Sequence, residues 1–174
     1  NNLALITPSY YRDRERCGLL VESVQRFVPE HINHYIVVER RDYELFKPLQ
    51  SERTHLLITQ DFIPRWLRRV PGTKKLWFGL CSGPTRSWIV QQLVKLGVGE
   101  HLDHAIFCYI DSDVAFIRPF DPGVFERDGR VRLFRRPGAA DQPTHHRWHR
   151  SAAKLLGLPP TDYFGADYIG HLVT

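Results

Sequence analysis

The sequence is poor in sulfur and lacks any long hydrophobic run. It contains no methionine and only three cysteines among 174 residues. An odd number of cysteines without a C-x-x-C pair argues against a disulfide framework and favours free thiols in a reducing cytosol. The longest apolar stretches, such as residues 105–110, are far shorter than the ~20 residues of a transmembrane helix. These absences argue against a membrane-spanning or disulfide-stabilised protein and predict a cytoplasmic one.

The rest of the composition is that of one globular domain. Hydrophobic residues make up 43% and charged residues 25% of the chain, which is long enough to bury a core. The formal net charge of +5 suits an anionic partner such as nucleic acid, a nucleotide phosphate or a membrane surface. Because methionine is missing and the chain stops just after the apolar residues 168–173, we expect a part of a longer protein.

Short apolar runs alternate with segments of helical periodicity. The predicted strands cover residues 3–7, 34–39, 55–59, 105–110 and 131–134. Helices are predicted for residues 17–28, for a short segment capped by Asp42, and for residues 145–156. Strands that alternate with helices form right-handed β-α-β units. The fold class is therefore predicted to be α/β and Rossmann-like, with a mainly parallel central sheet flanked by helices, and the strand at 105–110 is expected in its centre.

Two further segments are predicted to be helical. The Ser-Gly-Pro sequence at residues 82–84 is expected to open a helix that Gly97 and Gly99 end. The apolar face of this helix would carry Ile89, Leu93 and Leu96. The segment RWLRR at residues 65–69 is expected to be a surface helix, with a contact to anionic lipid as the alternative.

The most informative position follows the run at 105–110, where Asp111 and Asp113 stand one residue apart. In open parallel sheets, ligands bind beyond the carboxyl ends of the strands. Both carboxylates of an extended D-x-D segment can reach one Mg²⁺ or Mn²⁺ ion, which takes its other ligands from phosphates and water. Such an ion would neutralise a leaving diphosphate. A purely structural role as turn residues is the alternative.

Three segments carry a resemblance to a known class of enzymes. HAIFCYIDSDVAFIRPFD, at residues 104–121, resembles the strand and turn that bind metal and donor in GT-A nucleotide-sugar glycosyltransferases. LALITPSYYRD at 3–13 and HYIVVERRDYELF at 34–46 resemble the first two strands of that class, and together the segments are similar to a group of uncharacterised bacterial glycosyltransferase-like proteins. The resemblance covers residues 3–135. It implies a single GT-A-like nucleotide-sugar-binding domain over residues 1–174, with an incomplete C-terminal acceptor portion.

The resemblance also implies roles for individual residues. Asp111 would contact the donor ribose or the metal, and Asp113 would ligate the Mn²⁺ or Mg²⁺ cofactor. Arg86 would lie near the donor diphosphate, where arginine suits bidentate phosphate contacts. The residues expected to contact the donor are Pro8, Ser9, Tyr10, Glu39, Arg86, Asp111 and Ser112.

The C-terminal part departs from the pattern of that class. His171 is the candidate for a further metal ligand, but it stands in YIGHLVT, which lacks the expected Gly- and Lys-containing pattern. Asp167 is the candidate catalytic base for an acceptor hydroxyl, and Asp162 competes with it. The implied partners are a nucleotide-diphosphate sugar and an unidentified hydroxyl acceptor, which is a glycan, a lipid-linked molecule or a small molecule. No nucleic acid is expected as a partner, and peripheral contact with the inner face of a membrane stays open.

Two other functions stay open. Phosphatases of the haloacid-dehalogenase type place D-x-D-x-[TV] after a buried strand and use the first aspartate, here Asp111, as nucleophile. The fifth position of this motif is Ala115 instead, and three predicted strands precede it. A non-catalytic basic module that binds nucleotide or nucleic acid would explain the excess of arginine, but no recognition motif supports it. His145, His146 and His149 could bind zinc, although neighbouring arginines favour a solvated basic helix.

Overall fold

The chain contains two compact units, Asn1–Pro122 and Gly123–Thr174, which are called the N-terminal and the C-terminal unit. The computed structural model describes residues 2–73, 76–132, 134–139, 143–159 and 168–170. Three residues with predicted roles lie outside these ranges: Asp162, Asp167 and His171.

The N-terminal unit alternates strands and helices. Its elements are, in chain order, β1 (Leu3–Pro8), α1 (Arg14–Phe27), β2 (Asn33–Val38), α2 (Tyr43–Phe46), β3 (Thr54–Ile58), β4 (Leu67–Arg69), β5 (Leu76–Gly79), β6 (Gly83–Arg86), α3 (Ser87–His101) and β7 (Ile106–Tyr109). The strands β1, β2, β3 and β7 coincide closely with the predicted ones. The first helix also matches its prediction and ends just before Pro29, which cannot continue it.

A four-stranded parallel sheet forms the centre of this unit. Its strand order is β3-β2-β1-β7, and every neighbouring pair is parallel. The predicted α/β class with a parallel sheet and flanking helices is confirmed. The central position expected for β7 is wrong for the described residues, where β7 pairs with β1 alone. An edge strand can still be apolar when a helix covers it, and Phe107 and Tyr109 pack against the core on the α3 side.

The sheet buries side chains on both faces. One core layer lies towards α1 and α2 and contains Cys17, Val21, Ile36, Val38, Phe46 and Leu56. The other lies towards α3 and contains Ala4, Ile6, Val37, Ile63, Leu67, Trp77, Val90, Val94 and Val98. Ile36 and Val37 are neighbours on β2 and belong to different layers, as the two-residue period of a strand requires.

The predicted start and end of the helix near residue 90 are wrong. Residues 83–86 form β6, and α3 begins at Ser87 and continues through both glycines to His101. The buried face of α3 consists of Val90, Val94 and Val98, whereas Ile89 and Leu96 are exposed. Gly97 lies where α3 touches the backbone of Phe62, and a Cβ there would overlap the Phe62 carbonyl oxygen. Close packing, and not helix termination, therefore explains this glycine.

A small antiparallel sheet of β4, β5 and β6 adjoins α3 in the N-terminal unit. It replaces the surface helix expected for residues 65–69, because residues 67–69 pair with β5. Leu67 is buried in the α3-side core, while Arg68 is exposed. Alternate burial of this kind is typical of a strand with one covered face.

The three cysteines are free, as predicted. Cys17 is buried, Cys108 is half-buried and Cys81 is exposed. Burial raises the pKa of both the Cys17 and the Cys108 thiol to about 11. These two thiols are therefore protonated at neutral pH and poorly reactive.

The C-terminal unit contains β8 (Glu126–Arg127), β9 (Arg130–Val131), β10 (Phe134–Arg136), α4 (Pro143–Leu155) and β11 (Tyr168–Gly170). β8 pairs with β9 and β10 pairs with β11, both antiparallel. The helix expected at 145–156 is thus present, and the strand expected at 131–134 is divided between β9 and β10. Among the described residues, no helix of the protein is long and apolar enough to span a membrane.

Candidate functional site

The N-terminal unit contains a cavity of about 560 Å³ at the carboxyl edge of its parallel sheet. One side, called the strand-end wall, is formed by Pro8 at the end of β1 and by the residues that follow β1 and β7, at positions 9–13 and 111–113. A second part of the lining, called the packed wall, consists of Arg69 and Trp77 from the small sheet and residues of the first two turns of α3. Carboxyl ends of parallel strands converge at one edge, which is the usual place for a ligand in such sheets.

The chain leaves β1 in a fixed path along this edge. The Ser9 amide donates a 2.9 Å hydrogen bond to the Val37 carbonyl oxygen, which extends the pairing of β1 with β2. The Tyr11 amide then donates to Oδ2 of Asp42 at 3.2 Å. Asp42 was expected to cap α2, but its side chain makes no capping hydrogen bond to that helix. Its carboxylate instead holds the loop that carries Tyr10 and Tyr11 into the cavity.

The Asp-Ser-Asp turn begins directly after the last pairing contact of β7. The Ile110 amide donates to the Ile6 carbonyl oxygen at 2.9 Å, so the turn residues are the first to leave the sheet. Ser112 is only 6% exposed and donates from Oγ to Oδ2 of Asp13 at 3.4 Å. Asp111 and Asp113 are exposed and line the cavity. The buried serine therefore anchors a turn whose two carboxylates face outward.

The two aspartates of this turn differ in their partners. Nη1 of Arg16 lies 3.9 Å from Oδ2 of Asp113 and 3.5 Å from Oδ1 of Asp13. Over the residues that the structure describes, the Asp111 carboxylate has neither a hydrogen-bond nor an ion-pair partner. A carboxylate displayed in a cavity without a partner is available to a ligand.

Glu39 at the end of β2 is held by two arginines. Its Oε1 accepts a short hydrogen bond from Nη1 of Arg69, and its Oε2 lies 3.2 Å from Nε of Arg41. Burial raises the pKa of Glu39, and the two arginines oppose that effect. The pairing with arginines offsets the desolvation of a carboxylate at this half-buried position.

The cavity is rich in arginine. Arg12, Arg41 and Arg69 all line it, and the guanidinium groups of Arg12 and Arg41 lie 5.6 and 5.8 Å from the centre of the Tyr11 ring. Arg86, predicted to be near a diphosphate, is exposed and does not line the cavity. The alternation of β6 explains this placement, because Thr85 is buried and Arg86 therefore faces outward.

The donor set of the turn fits a hard divalent cation of the Mg²⁺ or Mn²⁺ kind. These ions are commonly held by one or two carboxylates and complete their coordination with phosphate oxygens and water. Asp111 and Asp113 supply two such groups, and Asp13 places a third carboxylate beside Ser112. Within the described ranges, no cluster of three or more His, Cys, Asp or Glu side chains is arranged as a metal site. An ion held by these carboxylates would take its remaining ligands from phosphate oxygens or water.

A model of a protein family matches residues 1–174, and its description is a family of unknown function, DUF6492. The chain belongs to the DUF6492 family. Comparison with curated proteins found no match, and comparison with solved structures found none either.

The structure gathers most of the predicted site residues of the DUF6492 protein in one place. Those that line the cavity are Pro8, Ser9, Tyr10, Glu39, Asp111, Ser112 and Asp113. Sequence reasoning missed Asp13, Arg41 and Arg69. Asp13 and Arg41 stand within five residues of the ends of β1 and β2, so their closeness to the predicted strand ends was an available signal. Arg69 had no such signal, because β4 was predicted to be a helix.

Proposed function

We propose that this DUF6492 protein is a GT-A-type glycosyltransferase that transfers a sugar from a nucleotide-diphosphate donor to a hydroxyl acceptor. One observation carries the proposal: the ends of β1 and β2 and the turn after β7 meet in one cavity, in which Asp111 has no partner among the described residues. A Rossmann-like arrangement of this kind binds ligands at this edge. The volume of about 560 Å³ is that of a small-molecule site.

We propose that the donor diphosphate binds between the acidic turn and the arginines. Asp111 and Asp113 would hold a Mn²⁺ or Mg²⁺ ion, which neutralises charge on the departing diphosphate when it is bound. Arg41 and Arg69 also line the cavity and offer guanidinium groups that suit phosphate oxygens. Arg69 and Arg41 take the role that the sequence assigned to Arg86.

In this proposal, the nucleoside lies against the end of β1 and the residues that follow it. Pro8, Ser9 and Tyr10 line the cavity there, and Tyr10 meets Tyr11 edge to face with ring centres 5.7 Å apart. Exposed aromatic rings held in a fixed orientation are suitable platforms for a base or ribose. Ser112 helps to hold this side of the cavity in place, because its hydrogen bond anchors the Asp-Ser-Asp turn to Asp13.

In the proposed transfer, the bond between the anomeric carbon and the diphosphate oxygen breaks while the acceptor oxygen bonds to that carbon. The acceptor hydroxyl loses its proton to a base, and Asp167 remains the proposed base. His171 remains the proposed further metal ligand. Both residues lie outside the described ranges, so this part of the proposal rests on the sequence alone. The free thiols favour a reducing compartment, and we place the reaction in the cytoplasm.

A thermal-shift panel tests the proposal. Common UDP-, GDP- and dTDP-sugars are added to the protein with and without Mn²⁺. A donor present at about one hundred times its dissociation constant stabilises the folded state by about 2.7 kcal/mol, so a clear rise of the midpoint is expected for one nucleotide class and only with the ion. Failure of every donor to shift the midpoint would contradict the proposal.

Variants connect that shift to the turn. Asp111→Ala and Asp113→Ala should abolish the Mn²⁺-dependent shift, whereas Asp103→Ala, an exposed carboxylate outside the cavity, should retain it. Calorimetric donor binding that is unchanged in Asp113→Ala would refute the metal-binding role. Metal-dependent hydrolysis of a simple phosphate ester through a phosphorylated Asp111 would favour a phosphatase instead.

A further inference from the structure

The small sheet of β4, β5 and β6 has two different faces. Its cavity side carries Arg69, Trp77 and Thr85, which stand in register across the three strands. The opposite side carries Arg68, Phe78 and Pro84, which are also in register. All three of these are exposed. An aromatic ring thus lies on the outer face, in the middle of a sheet whose other side is buried.

The hairpin that joins β5 to β6 adds a protruding apolar residue to the outer face. Leu80, at the tip, is 87% exposed. The tip is held in shape by a 3.2 Å hydrogen bond from the Ser82 amide to the Gly79 carbonyl oxygen and by Gly83 with a φ of 65°. Gly79 leaves room for the Trp66 ring, because a Cβ at that position would overlap it. Leu80 is therefore presented by an ordered turn.

The stretch of sequence that forms this sheet and most of α3 carries charge of one sign. Residues 62–99 contain seven Lys and Arg residues and no Asp or Glu. The chain as a whole is more balanced, with 24 basic and 19 acidic residues. Exposed Arg68 and Arg86 flank Phe78 on the outer face. This segregation produces a surface complementary to a negatively charged partner.

We propose that this outer face docks on an anionic lipid bilayer. The docking face is defined by five exposed residues: Arg68, Phe78, Leu80, Pro84 and Arg86. The exposed Phe78 ring, two arginines towards anionic lipid and one apolar tip are features that a bilayer interface accommodates together. The inference does not depend on the reaction in the cavity. A docked protein would have the small sheet between the cavity and the lipid headgroups.

Sedimentation with vesicles tests the docking face. The probes are phosphatidylcholine vesicles with and without phosphatidylglycerol, at low and at raised NaCl concentration. Binding is expected only with the anionic lipid and should weaken with salt, because surface charges are screened. Leu80→Ser should weaken the partition by at least about tenfold. Arg68→Gln and Arg86→Gln should each weaken it by about fivefold, the effect of removing one surface cation.

Two comparators make the outcome decisive. Leu19→Ser changes a leucine that is 62% exposed on α1, and it should leave vesicle binding unchanged. Trp148→Ser changes an exposed tryptophan on the basic helix α4, and it should also retain binding. Loss of binding in Trp148→Ser but not in Leu80→Ser would overturn the proposal, as would equal binding to both vesicle types or to neither. The thermal midpoint of each variant shows that it is folded.

Discussion

The two walls of the cavity are built in different ways. The strand-end wall displays side chains on segments that have just left the sheet, and its Asp111 lacks a partner within the described part of the chain. The packed wall buries Trp77 together with Val90 and Val94 in the core. The candidate ligand-binding groups are thus presented by loops, while the packed wall supplies a fixed boundary.

Glu39 connects these two walls. It follows β2 at the carboxyl edge of the parallel sheet, yet it pairs with Arg69 of the small sheet. Asp111 follows β7 at the same edge of the sheet without such a pairing. Two carboxylates in one cavity are therefore expected to contribute differently, Glu39 to stability and Asp111 to ligand binding. Substitutions in either wall test this division.

The largest effect is expected in the packed wall. Trp77 is 2% exposed, and its ring lies 5.8 Å from the guanidinium carbon of Arg69. Trp77→Ala should reduce the free energy of unfolding by about 3–5 kcal/mol, because it leaves a large cavity in the core. Trp88→Ala is the matched control, since that ring lines the same cavity but is 63% exposed. Urea denaturation followed by circular dichroism measures both, and equal losses would show that the packed wall is not rigid.

A smaller effect is expected where the walls meet. Glu39→Ala should reduce the free energy of unfolding by about 2–3 kcal/mol, because it leaves the half-buried Arg69 without this partner. The loss should be below that of a fully buried pair, since Arg69 has a further contact. Asp111→Ala should change stability by less than about 0.5 kcal/mol, as is usual for an exposed residue. The same urea titration compares the free energies of unfolding of the two variants. A large loss of stability in Asp111→Ala would mean that the turn aspartate has a structural role.

Sequence reasoning located the strand-end wall well. The buried runs at 3–7 and 34–39 and the one before Asp111 are strongly apolar, and their alternation with helices determines a parallel sheet whose carboxyl ends meet. The positions of Ser9, Glu39 and Asp113 around one cavity follow from that topology. No knowledge of distant contacts was needed for this part.

The packed wall could not be predicted in the same way. The strands β4 and β6 are three and four residues long, too short to show a periodicity that separates a strand from a helix. Their pairing through β5 decides their structure, and that pairing is a tertiary effect. The buried face of α3 was also misassigned, because valine and leucine alternate along it and several faces look apolar.

The glycines of α3 give the smallest test of the packed wall. Gly97→Ala gains helix propensity of about 1 kcal/mol but forces a methyl group against the Phe62 carbonyl oxygen, so a net loss of roughly 1–2 kcal/mol is expected. Gly99→Ala is the matched control two residues away. Its Cβ would lie 3.8 Å from the Phe107 ring, an ordinary contact, and the variant should be as stable as the parent or up to about 1 kcal/mol more stable. Thermal unfolding distinguishes the two, and equal gains from both substitutions would show that α3 does not lie against the 59–62 segment in solution.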